Sequence, residues 1–116
     1  MTIYEIEGGR RLEGELWAQG AKNAALPLLS AALLSREVSV LEHCPDIDDV
    51  NVQIEILEAL GCGVTRESER LTIDAAGADG FEVPRALMGR MRSSVMVLGA
   101  LLGRFGAGQV AMPGGC

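Results

Sequence analysis

Gln19-Gly20-Ala21-Lys22-Asn23-Ala24-Ala25-Leu26-Pro27 sets one cation and one amide directly before an apolar run that continues to Leu34. Gly20 breaks the alternation that precedes it. Asn23 is suited to cap a helix, and Pro27 is tolerable only in a first turn. The stretch therefore predicts a helix over about 24–34. Apolar residues cover nearly its whole circumference, so it should be buried on most sides. A helix start offers unpaired N–H groups and a partial positive charge. A basic residue and an amide at its mouth thus form an anion-binding arrangement. Lys22 has a plainer reading as a surface lysine near a helix start, a position the helix itself disfavours. Asn23 has one as an ordinary cap.

Toward the N-terminus, residues 2–7 and 12–17 alternate apolar and polar around Gly8-Gly9, which predicts a pair of short strands. Toward the C-terminus, residues 37–42 read as a strand ended by His43-Cys44-Pro45. A second helix is predicted over 49–60, with Asp46 and Asp48 as cap candidates, Val50, Ile54, Leu57 and Leu60 at helical spacing, and Gly61 as its stop. Residues 63–66 and 70–74 form a hairpin turning through Glu67-Ser68-Glu69. A helical turn begins at Val83-Pro84, a third helix covers about 93–102, and 108–112 is a strand before the turn at Pro113-Gly114-Gly115.

Placing Lys22 on Arg92 aligns Leu28 with Leu98 and exposes an internal repeat. In each copy a basic and a small polar residue precede a buried helix, which leads to an Arg (Arg36, Arg104), a strand and a Pro. A period of about 70 residues fits duplicated βαβ-type units of an α/β fold. Arg92 is suited to grip a phosphate in bidentate fashion, or to pair with an acid such as Glu82. Cys116 sits in a glycine-rich turn. Near Lys22 and Arg92 its thiol would have a lowered pKa and could act as acid, base or nucleophile; the alternative is an ordinary loop cysteine.

The 116 residues suffice for one small core, and the net charge is −6. Lys and Arg form no stripe and the four aromatics no stacking platform, so nucleic acid is disfavoured, while a local cationic pocket still suits an anionic small ligand. Three widely spaced cysteines and a single His43 make a zinc site improbable and fit a reducing cytoplasm. The start of the chain does not read as a signal peptide, and the longest apolar run, 24–34, is too short for a bilayer.

Three stretches in register resemble the enolpyruvyl transferase family: Gly20-Ala21-Lys22-Asn23-Ala24-Ala25-Leu26-Pro27, Met91-Arg92-Ser93-Ser94, and the run from Arg104-Phe105-Gly106 to Pro113-Gly114-Gly115-Cys116. The resemblance implies the inside-out α/β barrel of that family, built from repeated βαβ-type units, with only its N-terminal part present. Residues 1–20 would then be a strand pair that packs with a second domain, with Lys22 at the hinge. Residues 21–116 would be a partial catalytic domain, about one and a half repeat units. The implied reaction transfers the enolpyruvyl group of phosphoenolpyruvate to the 3-hydroxyl of UDP-N-acetylglucosamine, releasing phosphate, as in bacterial peptidoglycan synthesis. No cofactor, metal, membrane or obligate protein partner is implied. By resemblance, Lys22 and Asn23 match phosphoenolpyruvate contacts and Arg92 a nucleotide-sugar contact. Cys116 matches the proton donor to the methylene carbon, which also adds covalently to phosphoenolpyruvate and is the target of fosfomycin. The family's later arginines, uridine contacts and sugar-binding aspartate lie beyond these residues, so the 116 alone are expected to be inactive. Two other readings stand: a shikimate-pathway enolpyruvyl transferase, against which Cys116 and Ala21-Lys22-Asn23-Ala24 argue, and a non-catalytic binding module that keeps half a site.

Overall fold

The structure, a computed structural model, describes residues 2–90 and 95–111. The helices are α1 (Lys22–Ala32), α2 (Asp48–Ala59), α3 (Arg85–Met88) and α4 (Val95–Phe105). The strands are β1 (Val38–Leu41), β2 (Gly63–Glu67) and β3 (Arg70–Asp74). The sheet order is β1-β3-β2, and β3 runs antiparallel to both neighbours. β1 and β2 therefore share a direction, with α2 as the crossover and β3 inserted between them, a split βαβ arrangement. A second crossover encloses α3 and α4, because Glu82 and Gln109 form a parallel bridge. That bridge stands where the strand over 108–112 was expected. These two crossovers, which do not coincide with the copies aligned in the repeat, are the βαβ-type features among the described residues.

Hydrophobic burial explains the layering. Leu71 and Ile73 of β3 are fully buried in one core with Leu29 of α1, Leu33 just past its end, and Val50, Ile56 and Leu57 of α2, all at 0% exposure. The opposite sheet face carries Val38 and Val40, which stay exposed. Gly61 ends the α2 segment at φ 102°, and a Cβ there would meet the Gly77 carbonyl oxygen at 2.9 Å. Glycine is thus required both for the left-handed backbone and for the close approach. The hairpin is tighter than expected. β2 extends to Glu67, and the turn is Ser68-Glu69 with Ser68 at φ 57°.

Several expectations are corrected. Residues 2–20 carry no helix or strand, and Ile3, Tyr4, Ile6, Leu12, Leu16 and Trp17 are all more than 80% exposed. Alternation alone does not hold a two-stranded ribbon that has no face to pack on. α1 begins before Asn23: Ala21 is its N-cap, and Asn23 lies inside the helix with no side-chain capping bond. Pro27 falls past the first turn, within the helix. Its missing N–H leaves the Asn23 carbonyl without its usual helical donor. Burial of Ala25, Leu26, Leu29, Ala32 and Leu33 holds the helix despite that loss. α1 and α4 are buried on one side only. Leu28 and Leu34 on or beside α1, and Val95 and Leu102 on α4, remain about half exposed, because no described element covers those faces. Asp46 and Asp48 do not cap α2, whose N-cap is Ile47.

Arg104 at the end of α4 ties three segments together. Its Nη1 donates to the carbonyls of Leu33 (3.0 Å) and Ser35 (2.9 Å), and its Nη2 to Ala78 (3.4 Å) and Ala76 (3.5 Å). The Leu33 carbonyl belongs to the orphan set that a helix end leaves unpaired. An ammonium cannot span both carbonyl pairs as the planar fork does. Arg104→Lys is expected to cost about 1–2 kcal/mol, read as a lower urea midpoint at unchanged slope. An unchanged midpoint would mean that the fork is incidental.

Candidate functional site

The mouth of α1 meets the start of α2. Lys22 donates from Nζ to Asp49 Oδ2 at 2.9 Å, with the two side chains 48% and 35% exposed. Asp48 and Asp49 lie in the first turn of α2, where the helix end favours a carboxylate. Lys22 lies in the first turn of α1, where the same effect opposes a cation. The ion pair offsets that local penalty. The offset comes from a residue 27 positions away, and no local signal in the sequence shows it.

Two features bring these mouths together. A Cβ added at Gly20 would fall inside the carbonyl oxygen of His43, so only glycine permits this approach. His43 itself turns through φ 57°. The turn it opens is fastened from two sides. The Cys44 amide donates to Glu69 O at 2.8 Å, and Arg66 donates to the carbonyls of Cys44 (3.2 Å) and Pro45 (3.3 Å). Asn51 then donates to Asp46 Oδ1 at 2.9 Å, closing the approach to α2. Sequence reasoning missed Arg66 and Asp49. The adjacent acids at a helix start are visible in the sequence, but their partner is not.

Of the predicted site residues, the structure places Lys22 and Asn23 side by side on the first turn of α1, both exposed to solvent. Arg92 and Cys116 lie outside the described residues, as do Met91-Ser93-Ser94 and the Pro113-Gly114-Gly115 turn. The last described residue before that second motif, Arg90, is anchored to Glu55 of α2 at 2.7 Å.

The two described cysteines are poor chemical candidates. Both are buried. Burial pushes the Cys62 thiol above its ordinary range; the Arg104 guanidinium offsets part of this, and Asp74 adds to it. A thiol held protonated in this way is a weak nucleophile. Among the described residues no cluster of three or more His, Cys, Asp or Glu is arranged to hold a metal, and no helix is long and apolar enough to cross a membrane.

Residues 6–116 match the EPSP synthase (3-phosphoshikimate 1-carboxyvinyltransferase) family. The chain belongs to this family. Among curated relatives, UDP-N-acetylglucosamine 1-carboxyvinyltransferase 2 of Caldanaerobacter subterraneus subsp. tengcongensis is 43% identical over all 116 residues. UDP-N-acetylglucosamine 1-carboxyvinyltransferase of Yersinia pestis is 42% identical over the same span. The chain covers 28% of the length of each. Among solved structures, the enolpyruvyl transferase NikO from Streptomyces tendae superposes with a TM-score of 0.75 at 35% identity, over 85% of this chain and 23% of that one. The resemblance carried by the three motifs is upheld, and with it the α/β enolpyruvyl-transferase fold, of which this chain corresponds to the N-terminal part.

Proposed function

We propose that the protein transfers the enolpyruvyl group of phosphoenolpyruvate to the 3-hydroxyl of UDP-N-acetylglucosamine, releasing phosphate, as a cytoplasmic enzyme of peptidoglycan synthesis. The observation that carries this reading is 43% identity across the whole chain to a relative named UDP-N-acetylglucosamine 1-carboxyvinyltransferase 2. The mouth geometry supports it. Lys22 and Asn23 lie on one helix start and are assigned to phosphoenolpyruvate, with the phosphate taking the Lys22 ammonium from Asp49. A phosphate carries more charge than a carboxylate, and Asp49 keeps the support of its own helix end after the exchange. Arg92 is assigned to the nucleotide sugar.

Cys116 is assigned as the acid. Protonation of the methylene carbon makes the adjacent carbon oxocarbenium-like. The sugar hydroxyl forms its C–O bond there and gives up its proton. Loss of phosphate and of one methyl proton then restores the double bond. Cations around the leaving phosphate stabilise the charge that develops on it. The covalent adduct of Cys116 with phosphoenolpyruvate is the same addition with sulfur in place of the hydroxyl oxygen. Residues 1–20 are assigned to packing against a second domain, which accounts for their exposed apolar side chains.

The family's own description favours a second acceptor, 3-phosphoshikimate. Phosphate release by the protein at its full encoded length separates the two. Release with phosphoenolpyruvate and UDP-N-acetylglucosamine, and none with 3-phosphoshikimate, is the expected result. The reverse pattern overturns the assignment. Full turnover by Cys116→Ala would remove the acid role.

A further inference from the structure

Between α1 and α2 lies one polar contact that the site does not account for. Gln53 Nε2 donates to Ser30 Oγ at 2.8 Å, and the two residues are only 1% and 4% exposed. Around them the interface is aliphatic: Leu26, Leu29 and Leu33 on one side, Val50, Ile56 and Leu57 on the other. Aliphatic contacts are non-directional, so they hold two helices together without choosing their register. A buried polar pair does choose, because any other register leaves both groups desolvated and unpaired. Ser30 lies about two turns, roughly 12 Å, along α1 from Lys22. Gln53 lies about one turn along α2 from Asp49. A one-turn slip of α1 would move Lys22 by about 5.4 Å, well outside the 2.9 Å contact with Asp49.

We infer that Gln53 and Ser30 are positioning residues that set the register of α1 on α2 and so present Lys22 at the phosphoenolpyruvate site. The inference rests on the reading of Lys22 as a ligand contact, but its own reporter does not. Replacing both partners by apolar groups of similar shape is nearly neutral for stability, whereas replacing one leaves an orphan. Ser30→Ala/Gln53→Leu therefore separates register from stability.

The protein at its full encoded length, carrying 13C-labelled lysine, is compared with this double variant. The variant is expected to melt within about 4 °C of the parent. It is expected to lose the NOE between the Lys22 Hε and Asp49 Hβ protons, and to bind phosphoenolpyruvate about tenfold more weakly, since a displaced ammonium keeps only part of its charge-assisted bond to the phosphate. Single Ser30→Ala, which leaves the Gln53 amide without its partner, is expected to weaken the same NOE. Retention of the NOE or of parental affinity overturns the inference. So does loss of cooperative folding in the double variant, which would make the pair a stability element. Lys22→Ala serves as the separate arm. If it leaves phosphoenolpyruvate affinity unchanged, the site reading fails, and the NOE alone decides the register question.

Discussion

Lys22→Ala is expected to weaken phosphoenolpyruvate binding about a hundredfold while leaving thermal stability almost unchanged. The two effects come from different parts of the same geometry. For stability, the ammonium carries an unfavourable interaction with the α1 end of about 0.3–1 kcal/mol. It gains a similar amount from Asp49, since a pair this exposed contributes about 0–1 kcal/mol. Removing the side chain removes both terms, and no buried group is left without a partner. For the ligand, a charge-assisted bond to phosphate contributes about 1.5–3 kcal/mol, and about 2.7 kcal/mol is a hundredfold. Calorimetric titration of the full-length protein and its melting curve together check this. A variant that loses affinity only in proportion to lost stability would make Lys22 a structural cation. One that keeps its affinity would move the phosphate elsewhere.

How far the chain discloses this site follows from the range of each interaction. α2, the Gly61 stop and the β2–β3 hairpin are legible because their causes are local: helical spacing of Val50, Leu57 and Leu60, a glycine free to take φ 102°, and polar turn residues. The start of α1 is not legible in the same way. Asn23 is the better cap by side-chain chemistry, yet the helix reaches back to Lys22. Gly20 packs on the His43 carbonyl and Asp49 accepts the ammonium. Both partners come from the β1–α2 connection, and only the folded crossover brings them there. The strand pair over 2–20 failed for the converse reason. Its alternation is real, but no described surface lies against it. The carbonyl contacts of Arg66 and Arg104 are not legible in the sequence, because the partners are backbone atoms of distant loops. The motif residues Lys22 and Asn23 were readable as a site, and the structure adds what aims them.

Gly20→Ala is expected to produce a loss of similar size, about a hundredfold in phosphoenolpyruvate affinity, through the backbone rather than through charge. The new methyl would occupy the position of the His43 carbonyl oxygen, so something must move. The His43–Pro45 turn is the stiffer partner, held by the Cys44 amide on Glu69 and by the Arg66 fork. The segment on the other side has no comparable hold. Leu16 and Trp17 are at least 90% exposed, and residues 2–19 belong to no helix or strand. The strain is therefore relieved at residues 20–21. Ala21 is the cap of α1, and its carbonyl accepts from the amides of Ala24 (3.2 Å) and Ala25 (2.9 Å). Displacing it opens the first turn and carries Lys22 away from the ligand, which forfeits its charge-assisted bond to the phosphate, about 2.7 kcal/mol or a hundredfold. Global stability should fall by only about 1 kcal/mol, the usual effect of a damaged helix start, since Leu26 and Leu29 keep their burial. Hydrogen exchange distinguishes this from general unfolding. The Ala24 and Ala25 amides should exchange much faster in the variant, while those of Leu71 and Ile73 in the central strand keep their protection. Equal acceleration at all four positions would mean that Gly20 supports the core rather than the mouth.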